Sequence, residues 1–140
     1  MFSKPESEYL KGQRLLRFAS ISEKGQPDVA PLGFEFDGKE YFYVGSHGQD
    51  ILPRTKKYKN VKSGRNKVAF VVDDLVSTSP WRVRGIKVYG TAEIVQHEGM
   101  FGPGEYLKIT PTVSWSWGIE GLELKKDEWV KKTRHTSKSD

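Results

Sequence analysis

The fold class this chain predicts is mainly β: a small antiparallel barrel with two short helices packed outside it. Three observations carry that prediction. About six segments of strand length recur at short spacing, Gly, Asp and Pro turn signals separate them, and only two segments carry helix caps. The 140 residues allow one domain with a single core, and 36% apolar residues, 12% aromatics and 14 glycines are the composition of a folded globular chain.

The elements follow in order. Ser3-Lys4-Pro5-Glu6 reads as a capping box with proline tolerated in the first turn, so a short helix runs to about Lys11 and Gly12 ends it. Leu15 to Ser22 alternates, with Leu16, Phe18 and Ser20 facing one way, and is a strand. After the turn chemistry of Glu23 to Asp28, Val29 to Phe36 is extended. Asp37-Gly38 then signals a hairpin whose return strand is Glu40 to Gly45. Ser46 to Pro53 is a loop, after which Thr55 caps a helix over Lys56 to Ser63 ended by Gly64.

Val68 to Val72 is an apolar run expected to form a central strand buried on both faces and ended by Asp73-Asp74. The polar stretch Ser77 to Arg82 leads into a strand over Gly85 to Val95, in which Gly90 marks a bend or bulge. Beyond the Gly99 to Gly104 loop come strands over Glu105 to Ile109 and Val113 to Ile119, the second carrying Trp115 and Trp117 on one face to close the barrel or meet a second subunit. There is no internal repeat. The barrel domain is taken as residues 1–124, and residues 125–140 as a basic tail whose last residues are expected to be disordered.

Composition excludes several chemistries. The absence of cysteine removes disulfides, iron–sulfur clusters, thiolate zinc sites and cysteine nucleophiles, and three histidines, His47, His97 and His135, do not suggest a metal site. No segment has the 18 to 20 or so apolar residues of a membrane span, and the first residues lack the apolar stretch of a signal peptide, so a cytoplasmic location is expected. Catalytic-triad, P-loop and dinucleotide-fold motifs are missing.

The net charge of +5 sits in one place, because Arg54 to Lys67 holds seven basic residues and no acidic one. Without it the chain has 16 basic and 18 acidic residues. Charge that local suits a compact anion, or a solvated helix face, and argues against a nucleic-acid footprint. Within it, Thr55, Lys56 and Lys57 offer a hydroxyl, first-turn amides and two ammonium groups to a phosphate. His47, just past a strand end, either hydrogen-bonds a ring heteroatom or is solvated. Trp81, flanked by Arg82 and Arg84, either packs in the core or faces a flat anionic ligand.

These features combine in an order that resembles the pyridoxamine 5′-phosphate oxidase-like split β-barrel superfamily, of the FMN-binding, flavin reductase-like kind. The resemblance spans about Ser3 to Leu124. It rests on Y-L-K-G-Q-R-L-L-R-F-A-S-I from Tyr9, G-Q-P-D-V-A-P-L-G-F from Gly25, G-S-H from Gly45, T-K-K-Y-K-N-V from Thr55 and K-V-A-F-V-V-D-D from Lys67. Two further blocks, P-W-R-V-R-G-I-K-V-Y-G-T-A-E-I from Pro80 and I-T-P-T-V-S-W-S-W-G-I-E from Ile109, look like the coenzyme F420-dependent branch.

The resemblance implies a homodimer with cofactor sites at the subunit interface. In it Thr55, Lys56 and Lys57 would hold the cofactor phosphate, with Asn60 on the same helix. Gly45, Ser46 and His47 would pass the ring, His47 being the candidate for polarising a substrate or ring oxygen. Pro80, Trp81, Arg82 and Arg84 would cover the cofactor, from the same or the other subunit.

The implied activity is an oxidoreductase that transfers a hydride between F420 and an electron-poor small molecule. FMN is the alternative cofactor, and a non-catalytic flavin or deazaflavin carrier the alternative role. The sequence departs from the oxidases at Lys56, where arginine is common, at Gly64-Arg65-Asn66, and in the longer, polar segment from His47 to Arg54. Pyridoxamine phosphate is therefore not the expected substrate. No nucleic-acid or membrane partner is expected.

Overall fold

The computed structural model describes residues 1–46, 50–119 and 132–135. Helix α1 (Lys4–Gly12) starts at the expected capping box: the Ser3 hydroxyl accepts the Glu6 amide at 3.2 Å and the Glu6 carboxylate accepts the Ser3 amide at 2.9 Å. Its inward face, Tyr9 and Leu10, joins the core. Seven strands follow: β1 (Leu15–Ile21), β2 (Pro27–Phe36), β3 (Phe42–Val44), β4 (Lys67–Thr78), β5 (Trp81–Gly99), β6 (Gly102–Trp117) and β7 (Lys132–His135). A 3-10 turn at Leu52–Arg54, in what reads as loop, and helix α2 (Lys56–Lys62) lie between β3 and β4.

All neighbouring strands pair antiparallel in the order β3-β2-β1-β4-β5-β6-β7, and a further β3–β6 pairing closes the first six into a barrel. The interior is filled by alternate residues, among them Leu16, Phe18, Phe34, Phe42, Val44, Phe70, Val72, Ile86, Val88, Leu107 and Ile109. Phe42 is the centre of an aromatic group, 4.8 Å from Phe36 and 4.7 Å from Phe70 between ring centroids. Tyr58 and Val61 of α2 join the same core, with α2 lying against β1 and β5.

Five expectations are corrected. β4 does not stop at Asp73-Asp74, because both acids are partnered: Arg17 reaches Asp73 at 3.3 Å, and Tyr9 and Arg84 bind Asp74. Nor is β4 buried on both faces, since Val68, Phe70 and Val72 are buried while Ala69 and Val71 are half-exposed. The segments 105–109 and 113–119 belong largely to one strand, β6, which runs through Thr110 to Thr112 with a register shift opposite Tyr89 and Gly90. That bulge accommodates Pro111, which a regular interior strand would not; Gly90, singled out in the sequence, lies there.

Asp37-Gly38 forms a wider loop, the Asp37 amide donating to the Tyr41 carbonyl while its carboxylate accepts the amides of Lys39, Glu40 and Tyr41. The return strand is correspondingly short. Last, residues 132–135, assigned above to the tail, pair with 113–116 of β6; residues 136–140, expected to be disordered, lie outside the described residues.

The β4–β5 ladder continues beyond the barrel as a two-stranded arm whose tip, Ser79-Pro80, has a cis peptide bond. At its base the Arg84 guanidinium grips the Asp74 carboxylate with two bonds, 3.0 and 2.7 Å, and lies over the Tyr9 ring, 4.9 Å from its centroid. The Tyr9 hydroxyl donates to the same carboxylate at 2.7 Å. This brace ties α1 to the arm. Among the described residues no helix is long and apolar enough to cross a membrane.

Candidate functional site

Thr55 forms the joint between the 3-10 turn and α2. Its hydroxyl donates to the Leu52 carbonyl at 2.7 Å and accepts the Tyr58 amide at 3.4 Å. Inward, α2 is fixed by two long-range bonds, Tyr58 hydroxyl to the Glu105 carboxylate at 3.1 Å and Asn60 Nδ2 to Ser20 Oγ at 3.0 Å. These hold the first turn beside the β1–β2 ladder. There, Phe18 faces Ala30 and Ser20 faces Asp28 across the ladder, so Asp28 and Ala30 share the face of Phe18.

The result is a cleft of about 230 Å³ lined by Phe18, Asp28, Ala30, Thr55, Lys56 and Lys57. Lys56 is exposed, whereas Lys57 is only 7% exposed and has no hydrogen-bond or ion-pair partner among the described residues. Burial pushes the Lys57 ammonium below the ordinary lysine value, and the Asp28 carboxylate acts against that shift. Two cations beside Phe18, Ala30 and the Asp28 carboxylate, one of them on a largely buried side chain, could hold the phosphate end of a ligand. Among the described residues no group of His, Asp and Glu could hold a metal ion.

The other candidates stand elsewhere. Asn60 is buried and bonded to Ser20, and does not itself line the cleft. Gly45 and Ser46 follow β3, and Gly45 is backed by Tyr106: a Cβ there would lie 2.8 Å from the Tyr106 ring. Tyr106 is itself pinned, donating to the Gly102 carbonyl at 2.6 Å and accepting the Phe101 amide at 3.0 Å. His47 lies outside the described residues.

Pro80, Trp81 and Arg82 form the exposed arm tip, Trp81 being 62% exposed. Counting along β4 from Phe70, which pairs with Phe18, to Thr78, which pairs with Trp81, puts that tip about 25 Å of strand from the cleft. Within one protomer, therefore, the arm tip and Lys57 are not brought together. Arg84 is engaged in the brace. Trp115 and Trp117 share the outward face of β6, as expected from their alternation.

Sequence reasoning missed Asp28, Phe18 and Ala30, which reach the cleft only through strand pairing, and the Tyr9–Asp74–Arg84 brace. It also missed a cluster behind the end of β3, where His97 stacks on Tyr43 at 3.9 Å with Nε2 3.6 Å from Glu35 Oε1. No local signal marks these residues, since their partners come from distant strands.

The closed barrel agrees in fold with known proteins. Residues 4–113 match the family model of pyridoxamine 5′-phosphate oxidase, and the chain belongs to this family. A 5a,11a-dehydrotetracycline/5a,11a-dehydrooxytetracycline reductase of Streptomyces rimosus subsp. rimosus is 34% identical over 124 residues, covering 86% of this chain and 85% of the relative. With that membership and that relative, the chain is an oxidoreductase.

Solved structures agree in fold. A conserved hypothetical protein of Mycobacterium tuberculosis matches 91% of this chain and 94% of its own at 18% identity with a TM-score of 0.64. A protein described as an F420 reductase matches 77% of this chain and 94% of its own at 19% identity with a TM-score of 0.59.

Proposed function

We propose that the protein is a homodimeric reductase that binds the deazaflavin F420 and reduces an electron-poor small molecule such as a conjugated alkene, imine or quinone. The observation that carries this reading is Lys57, a lysine whose side chain is largely buried and lines an open cleft with Lys56 beside it. Burial of the Lys57 side chain costs the ligand-free fold stability that Asp28 offsets only in part, and an incoming phosphate adds negative charge beside the ammonium. Lys57 and Lys56 would hold the phosphate, Phe18 and Ala30 would exclude water beneath it, and Gly45 and Ser46 would flank the ring. His47 is proposed to polarise an oxygen of the ring or substrate.

When bound, F420 supplies hydride transfer at its ring carbon; FMN, the alternative cofactor, presents a similar phosphate end. The acceptor class is supported by the Streptomyces relative, whose name denotes reduction of a dehydro compound.

The dimer reading is supported by the outward face of the barrel. Val29, Ala19, Ala69, Tyr89 and Val113 form one row across five strands, and Val71, Lys87 and Trp115 lie in the next. Val29 and Tyr89 are exposed and Ala19, Ala69, Val71, Val113 and Trp115 half-exposed, so this face leaves apolar surface open to solvent in one protomer. In such a dimer Pro80, Trp81 and Arg82 of the arm tip are proposed to cover the partner's cofactor, as the family resemblance implies.

The activity is tested by mixing the protein with reduced F420 and a panel of conjugated enones, imines and quinones, following deazaflavin absorbance. Oxidation dependent on both protein and acceptor is expected. Binding without turnover on every acceptor would instead make the protein a carrier.

A further inference from the structure

The β5–β6 hairpin curls back over the outer face of the barrel and is tied down there by a carboxylate from β2. His97 of β5 reaches across β6, stacking on Tyr43 of β3 at 3.9 Å and standing edge-on to Tyr106 of β6 at 5.1 Å. Glu35 of β2 meets the hairpin twice: Oε2 accepts the Met100 amide at 2.9 Å, and Oε1 lies 3.6 Å from His97 Nε2. Gly99 sits in the same cradle, where a Cβ would run into the Glu35 carboxylate and lie 2.9 Å from the His97 ring.

His97 Nε2 is buried, yet it has no hydrogen-bond partner among the described residues. At 3.6 Å a neutral imidazole makes no hydrogen bond to Oε1, whether it presents an N–H or a lone pair there. An imidazolium presents both an N–H and a charge to the carboxylate, and a closure of less than about 1 Å completes the bond. The other charged groups near this face are Lys108 of β6 and Glu93 of β5, in the row of Tyr43, with Lys108 held over the Tyr41 ring at 4.0 Å. Glu98, next to His97 on β5, alternates to the opposite face.

We infer that Glu35 and His97 form a proton-operated latch on the β5–β6 hairpin: protonation of His97 fastens the turn over Gly99–Gly102 to β2, and loss of the proton releases it. Glu35 faces the imidazole only while the turn is down, so proton uptake and closure favour each other, and histidine exchanges its proton between about pH 5 and 8. The latch therefore strengthens as pH falls through that window and weakens as pH rises. What it steadies is the wall behind Gly45, because Tyr106 bonds the turn at the Phe101 amide and the Gly102 carbonyl, and the Tyr106 and Phe101 rings both lie against Gly45. The latch itself needs no ligand; its effect on binding rests on the reading that Gly45 and Ser46 flank a cofactor ring.

The test is amide hydrogen exchange followed by NMR on ligand-free, full-length protein at about pH 5.5 and about pH 8, corrected for intrinsic exchange, with the Phe70 and Val88 amides as the barrel reference. In wild type the Met100 and Phe101 amides should gain about three- to tenfold in protection over the reference at the acid end, the range for a charged hydrogen bond that remains partly exposed. His97→Gln, which keeps a polar side chain, and Glu35→Gln, which keeps an acceptor for Met100, should each remove that gain. A cofactor titration at the same two pH values is read separately: a working latch with ring affinity indifferent to His97→Gln counts against a ring at Gly45 and not against the latch. Equal protection at both pH values in wild type overturns the inference without any variant, and so does a pH dependence that survives in His97→Gln.

Discussion

Burial lowers the Lys57 ammonium and Asp28 partly restores it, and this opposition fixes how one residue behaves with pH. A lysine whose folded value lies below its unfolded value binds its proton more tightly in the unfolded chain. The ligand-free protein therefore gains stability as pH rises through the window between the lowered value and the ordinary one, and carries the full cost below it. Lys57→Met should raise the melting temperature by a few degrees at neutral pH while weakening cofactor binding, a trade-off thermal melts with and without ligand will show.

In wild type, cofactor affinity should fall as pH climbs through the lowered lysine value; the Lys57→Met titration should lack that limb. At Gly45 a methyl group would enter the Tyr106 ring, so Gly45→Ala should cost about 1 to 3 kcal/mol in urea unfolding, the range for overpacking. Thr55, Lys56 and Lys57 are legible in the sequence because a cap residue and a helix start are local signals. Asp28 is not, because only the pairing of Ser20 with Asp28 places it at the cleft.

The β4–β5 arm shows what a strand pattern conveys and what it leaves out. Alternation identifies β1, and the apolar run from Val68 identifies the barrel half of β4, yet the arm half, where Leu75 and Val76 stand among polar residues, owes its strand to cross-strand partners. Asp74 is held below its ordinary value first by the Arg84 bonds and, after burial acting the other way, by the Tyr9 hydroxyl. Its contribution is thus complete above the ordinary aspartate value and is lost as pH falls through the depressed one.

Because Arg84 and Asp74 remain partly exposed, solvent screening limits the pair, and Asp74→Ala should cost about 1 to 2 kcal/mol. Tyr9→Phe should cost less, about 0.5 to 1.5 kcal/mol. The gap between wild type and Asp74→Ala should close below the ordinary carboxylate range, as read by urea titrations at pH 7 and in acid. Pro111 shows the opposite difficulty: proline marks a break in sequence, and only the bulge opposite Gly90 lets β6 continue past it.

For the whole molecule, the barrel was legible from strand count and turn spacing, whereas its closure depends on β3 meeting β6, a contact between segments more than sixty residues apart. The uncovered band around Val29 and Tyr89 was not legible either, since it forms only when five strands align their alternate residues. Val29→Glu should leave the protomer folded, because the side chain points outward, while converting a dimer to monomers and removing cofactor binding. Sedimentation velocity with and without the substitution reads the first effect and ligand titration the second.

The most direct test of the central claim is a parallel titration of wild type and Lys57→Ala with F420 and with FMN at low salt, followed by fluorescence quenching. Saturable binding of F420, tighter than FMN and weakened by about 1 to 3 kcal/mol on loss of the Lys57 ammonium, is the predicted result. Binding of neither cofactor, or binding indifferent to Lys57, would contradict it.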